Sequence, residues 1–126
     1  MVSNFIVQAL RGEPLTVYGH GSQTRSLCFV EDEIAGLLAL LYSSLTGPVN
    51  IGNPDERTVG DLARFVLDVT GSASDIVFEA LPTDDPTRRC PDITLARREL
   101  GWEPRIGLRE GIERTIDYFA RKVKGL

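Results

Sequence analysis

Residues 34–42, Ile-Ala-Gly-Leu-Leu-Ala-Leu-Leu-Tyr, are apolar nearly all round and interrupted only by Gly36. Glu31-Asp32 precede them and place acidic groups in a first helical turn, where the helix dipole favours negative charge. A helix apolar on every side is normally buried on more than one side. The chain has 126 residues, enough for one domain with a core of its own. It has little left over to wrap such a helix. The stretch therefore predicts a packing layer that these residues do not supply. A second helix points the same way. Val2, Phe5, Ile6 and Ala9 recur at helical spacing from the second residue onward. A helix with so little lead-in predicts a natural fold that begins upstream of Met1.

The rest of the chain alternates helix and strand. Gly12 suits the C′ position of the first helix. Leu15–Tyr18 reads as a strand, Gly19-His20-Gly21 as a turn, and the apolar run Leu27–Val30 as a second strand. Thr46-Gly47-Pro48 ends the apolar helix, and Val49–Gly52 reads as a short buried strand. Thr58 is a good N-cap with Asp61 three residues on. Val59, Leu62, Ala63, Val66 and Val69 then mark an amphipathic helix closed by Gly71. Residues 75–79 form a strand, and residues 82–91, with three prolines, form a loop. Asp92 caps a short helix running to Leu100, Gly101 stops it, and Trp102-Glu103-Pro104 makes a corner. Leu108, Ile112, Thr115, Ile116 and Phe119 are the core face of the last helix, with Lys122 and Lys124 at its C-terminal end. The class is α/β, or α+β for a piece this size, with about four short strands. That is few for a self-sufficient doubly wound sheet.

The formal net charge of −4 argues against a general nucleic-acid binder, which shows a basic face. It leaves room for a small anionic ligand held by a few arginines. Two cysteines, Cys28 and Cys90, lack metal-ligand spacing and are expected as reduced thiols of a cytoplasmic protein. No run approaches the roughly 20 apolar residues of a membrane span, and no secretory leader is apparent.

Gly19 to Val30 carries the strongest hint of chemistry. Glycines let a backbone approach a ligand closely, and Arg25 offers a planar fork of donors that fits phosphate oxygens. Arg88 and Arg89 bring further cations from a distant loop. Arg25, Arg88 and Arg89 are thus candidates for an anion clamp, with solvated surface arginines as the competing reading. Gly19-x-Gly21 is not a dinucleotide fingerprint, because position 24 is Thr and no helix follows. Tyr118 and Lys122 have Tyr-x-x-x-Lys spacing, but on a helix whose core face is already explained. His20 is the sole histidine and reads as an exposed turn residue, and the clusters Glu31-Asp32-Glu33 and Asp84-Asp85 read as solvated. No nucleophile–base arrangement is evident. The residues describe a ligand-binding or packing module.

Several stretches resemble one family in register: Val2–Ile6, Gly12–Gly19, Gly21–Ser26, Pro48–Pro54, Asp85-Pro86, Arg89-x-Pro91-Asp92-Ile93 and Leu100–Pro104. Together they resemble the C-terminal half of UDP-glucuronate decarboxylases. These are extended short-chain dehydrogenases of the NAD-dependent epimerase/dehydratase family, near dTDP-glucose 4,6-dehydratase. The resemblance implies a two-part protein. Its Rossmann half would bind NAD and carry the catalytic Tyr-x-x-x-Lys, and its smaller half would bind the nucleotide sugar. This chain looks like the second half alone. By that resemblance Thr16, Val17, Tyr18 and Gly19 line the uracil of a UDP-sugar. Arg25 and Arg89 hold the diphosphate, Asn4 and Phe5 approach the nucleotide, and Arg88 falls off the motif. In such enzymes NAD transiently oxidises C4 of the sugar, the 4-keto acid loses CO₂, and the hydride returns. The implied cofactor is NAD in the full-length family and none in this chain, which is expected to be inactive alone. The implied partners are a Rossmann half or a homodimer mate. A docking module for a separate Rossmann partner, a decayed remnant, or part of a related epimerase or 4,6-dehydratase remain open alternatives. Two positions depart from the family pattern: His20 stands where Asp or a small residue is usual, and Glu33 where Leu is usual.

Overall fold

The computed structural model describes residues 1–83 and 86–124. The Asp84-Asp85 pair, and with it the start of the Asp85-Pro86 motif, lies outside the described residues. Helix α1 (Val2–Arg11) buries Phe5, Ile6 and Ala9 and ends on Gly12 at φ 71°. Helix α3 (Val59–Thr70) is capped by Thr58, whose side chain accepts from Asp61 N at 3.1 Å. Helix α4 (Leu108–Lys124) closes over both, burying Ile112. Strand β1 (Leu15–Tyr18) runs beneath, with Leu15 and Val17 fully buried. These elements share one apolar core. It follows the helical spacing read from the sequence.

The strands form two separate pairs. β1 lies parallel to β4 (Ile76–Glu79), with Leu15 opposite Ile76 and Tyr18 opposite Glu79. β2 (Thr24–Ser26) lies antiparallel to β3 (Glu56–Thr58), with Arg25 opposite Arg57. The second strand expected at Leu27–Val30 is therefore shifted to Thr24–Ser26, and it pairs far along the chain instead of with β1. Gly21 explains the separation. At φ 75° it turns the chain so that its carbonyl accepts from Gly60 N at 2.9 Å, and a Cβ there would meet the Gly60 backbone at 3.2 Å. The close approach expected of this glycine is to the start of α3.

Val49–Gly52 forms no strand among the described residues. Val49 and Ile51 instead pack on a second, smaller core of Ile93, Ala96 and Trp102. The expected helix before Gly101 is one helical turn leading into a π-helical turn, Ala96–Leu100. Helix α2 (Val30–Leu41) lies on this second core through Gly36. A side chain at Gly36 would collide with Ile51 and come within 3.0 Å of the Trp102 ring. Asp32, read from the sequence as a solvated helix-start residue, is 7% exposed. Its carboxylate accepts from Arg105 N at 3.1 Å and Ile106 N at 2.8 Å, and its carbonyl accepts from the Trp102 indole at 3.1 Å. One acidic residue thus ties α2 to the corner before α4. The far side of α2 is open. Ile34, Leu37, Leu38, Leu41 and Tyr42 are all exposed, Tyr42 at 82%.

Candidate functional site

A pocket of about 320 Å³ opens between α1, β1 and β2, and Asn4, Phe5, Thr16, Tyr18 and Arg25 line it. Five of the eight residues singled out as ligand-binding thus converge on one hollow. α1 brings Asn4 and Gln8 on one face at a spacing of four. Along β1 successive side chains alternate. Thr16 and Tyr18 face outward, while Val17 is fully buried in the main core. Any contact Val17 makes with a ligand in this pocket is through its backbone. Gly19 lies outside the pocket and borders a neighbouring hollow of about 540 Å³ with His20, Gln23 and Leu81. Arg89 is exposed and does not line the pocket either; its backbone sits beside β2.

The edge of β1 turned toward the pocket is partly occupied. In the parallel ladder Leu15 N and Gly19 N donate toward the β4 side, to Asp75 O and Glu79 O. The even residues of β1 turn the other way. Thr16 N donates to Gln8 Oε1 at 3.2 Å, and Gln8 Nε2 donates to Thr16 Oγ1 at 3.3 Å. Gln23, 6% exposed, donates Nε2 to Tyr18 O at 2.8 Å. Thr16 C=O and Tyr18 N–H remain on this edge with no hydrogen-bond partner among the described residues. They are one acceptor and one donor beside a half-open pocket. Gln8 and Gln23 were not foreseen from the sequence. The spacing of Gln8 from Asn4 was the available signal.

Arg25 enters from β2. Its Nη1 donates to Thr24 O at 2.6 Å and to Pro86 O at 3.0 Å, so the guanidinium is held between its own strand and the 82–91 loop. Arg88 is not a free surface cation. Its Nε lies 2.6 Å from Glu56 Oε2, and this pairing holds the Glu56 carboxyl below the usual carboxylate range.

Lys122 Nζ sits 5.7 Å from the Tyr118 ring centroid, a cation–π contact on an exposed helix. Cys28 borders an apolar cavity of about 170 Å³ with Phe29, Leu108 and Ile112. Burial, helped by a hydrogen bond with Glu33, pushes its thiol up to about 12, so it is not a thiolate nucleophile near neutrality. Cys28 and Cys90 are both free thiols. Among the described residues no group of three or more His, Cys, Asp or Glu side chains is arranged to hold a metal, and no helix is long and apolar enough to cross a membrane.

Known proteins resemble the chain in sequence and in fold. The family model for GDP-mannose 4,6 dehydratase matches residues 1–115. UDP-glucuronic acid decarboxylase 1 of Danio rerio is 49% identical over 124 residues, which are 98% of this chain and 30% of that protein. UDP-glucuronic acid decarboxylase 2 of Arabidopsis thaliana is 47% identical over 125 residues, 99% of this chain and 28% of that protein. The chain thus spans about 30% of the length of the relatives it matches. The UDP-glucose 4-epimerase of Thermotoga maritima, solved with UDP-glucose, superposes at a TM-score of 0.93 with 30% identity, over 97% of this chain and 40% of that one. The UDP-glucuronic acid 4-epimerase of Bacillus cereus, solved with UDP-glucuronic acid and NAD, superposes at 0.89 with 27% identity, again over 97% and 40%. With a family model covering almost all of its length, and decarboxylases and epimerases of UDP-sugars as its relatives, the chain belongs to the GDP-mannose 4,6 dehydratase family, within the NAD-dependent epimerases and dehydratases.

Proposed function

We propose that this chain is the nucleotide-sugar-binding, C-terminal portion of a UDP-glucuronate decarboxylase-like enzyme, and that it does not turn over substrate alone. The observation that carries this reading is the pocket that joins Asn4, Phe5, Thr16, Tyr18 and Arg25. In it the backbone of Thr16 and Tyr18 offers an acceptor and a donor. A uracil ring presents the complementary donor and acceptor on one edge. Arg25 at the same pocket, and Arg89 on the adjoining loop, supply charge for a diphosphate. Val17 and Gly19 then serve through the backbone that shapes β1. UDP-glucose and UDP-glucuronic acid, held by the similar epimerase structures, fit this chemistry.

The residues present do not fit NAD. A dinucleotide sits where a strand runs through a glycine turn into a helix N-terminus. Here Gly19 and Gly21 lead into β2 instead. The redox chemistry of the family, hydride removal and return at the sugar, is therefore assigned to a part that this chain does not contain. This chain's own residues bind and orient the substrate.

Titration calorimetry with UDP tests the reading. The chain is expected to bind UDP in the micromolar to millimolar range, and Arg25→Ala is expected to lower affinity about 10- to 100-fold, the worth of hydrogen bonds to a charged group. No heat at millimolar UDP from a folded chain overturns it as a site that works alone. A second reading, a docking module for a separate Rossmann partner, is favoured by the exposed apolar side of α2. Co-purification with the dinucleotide-binding part of a related enzyme distinguishes it, because only docking requires a complex that survives without UDP.

A further inference from the structure

The loop that carries Arg89 is held in place by a polar chain that starts at Glu56, a residue outside the pocket. Glu56 is on β3, and its side chain is 22% exposed. Its Oε2 accepts from Arg88 Nε at 2.6 Å and from Thr24 Oγ1 at 3.0 Å. Thr24 Oγ1 in turn accepts from Arg89 N at 3.2 Å. On the other side of Arg89, its carbonyl accepts from Ser26 Oγ at 2.8 Å. Thr24 N donates to Thr87 O at 2.9 Å, and Arg25 Nη1 to Pro86 O. Each residue of β2 thus bonds the segment 86–89, and β3 holds β2 from behind.

Two features make Glu56 more than one bond among many. A single carboxylate oxygen accepts two donors, one from each side of the seam between the β2–β3 pair and the loop. It also binds one of two adjacent arginines. Two neighbouring guanidinium groups repel, and an anionic ligand could be drawn to either. Pairing Arg88 with Glu56 neutralises one cation and leaves Arg89, whose backbone is bonded to Thr24 and Ser26 on either side of Arg25, with no ion pair among the described residues. We propose that Glu56 is a positioning residue of the anion clamp: through Thr24 it fixes the backbone of Arg89, and through Arg88 it decides which arginine of the loop faces the anion. This rests on the reading of Arg25 and Arg89 as the diphosphate holders and adds the device that sets their relation.

The test compares UDP with uridine, which shares the base and lacks the diphosphate, on the wild-type chain and on Glu56→Ala, Arg88→Ala and the double variant. Amide hydrogen exchange is measured on the same proteins without ligand. Glu56→Ala is expected to weaken UDP about tenfold and uridine by less than about twofold. Exchange at the Arg89 amide is expected to rise about tenfold while the amides of α1 and α3 keep their protection. Adding Arg88→Ala to Glu56→Ala is expected to cost no further affinity, because the two act as one unit. Glu56→Gln, which still accepts from Thr24, is expected to recover part of the loss. Equal losses of UDP and uridine, an unchanged Arg89 amide, or additive single effects overturn the proposal while the site reading stands. A wild-type chain that fails to bind UDP overturns the site reading, and the role of Glu56 in it falls as well.

Discussion

The α1–α3–α4 side and the α2 side of this chain both carry apolar helix faces and differ in what covers them. On the first side Phe5 is 2%, Ile6 0% and Leu62 1% exposed, and three helices close over one strand. On the second side Leu37 is 52% and Leu41 71% exposed, although α2 is the more uniformly apolar helix by sequence. The inner line of α2, at Gly36, is in tight contact with Trp102 and Ile51. Its outer line, from Ile34 to Leu41, is about half or more exposed. Sequence apolarity therefore reports how much surface a helix needs covered, and says nothing of whether the same chain covers it. The candidate site lies on the closed side, where α1 and β1 share one buried core and bring Asn4, Thr16 and Tyr18 to one pocket.

The sharpest way to break this comparison is to cut into the closed side. Phe5→Ala removes the largest fully buried side chain of the main core, next to the pocket. It is expected to destabilise the chain by about 3–5 kcal/mol, the cost of a buried aromatic replaced by a cavity. Urea unfolding followed by far-UV circular dichroism measures it. A loss under about 1 kcal/mol would mean that the α1 side is no better packed than α2.

The smaller second core offers an intermediate case. Asp32→Ala strips the acceptor from Arg105 N and Ile106 N and leaves two backbone donors near the surface without a partner. The expected loss is about 2–3 kcal/mol. Asp32→Asn, which keeps an acceptor oxygen, is expected to lose less than half of that. If the two variants cost the same, the link between α2 and the α4 corner depends on the negative charge and not on hydrogen-bond acceptance.

Much of the fold was legible from residues alone, and the misses have physical causes. The helices declared themselves through periods of three and four, and Gly12, Thr58, Gly71 and Gly101 act as the stop and start signals they resemble. Five of the eight residues singled out by the resemblance line one hollow. The β2–β3 pair stayed hidden because Thr-Arg-Ser and Glu-Arg-Thr carry no apolar alternation, and their pairing spans about thirty residues. Val49–Ile51 looked like a strand because short apolar runs do not distinguish a strand from a packed loop. Asp32 looked solvated because its partners at 105 and 106 are distant in sequence. The β2–β3 pair and Asp32 are contacts made by polar groups across the chain, where local pattern carries no information.

The smallest effect separates the two sides most cleanly. Leu37→Ala on the outer line of α2 is expected to change stability by less than about 0.5 kcal/mol in this chain, because half of that side chain is already in water and no cavity forms. A buried Leu→Ala change costs about 2–5 kcal/mol. The same substitution made in a full-length relative, where a further layer would cover α2, is expected to fall in that larger range. The pair of urea curves thus measures the missing cover as a difference between two proteins, with the substitution held fixed. A large cost already in the 126-residue chain would mean that α2 is covered in solution. Dependence of that cost on protein concentration would identify a second copy as the cover, since association stabilises by mass action and intramolecular packing does not. A cost that stayed small in the full-length protein would show that the outer line of α2 faces water there too, and the apolar helix would then have to be explained by something other than an absent layer.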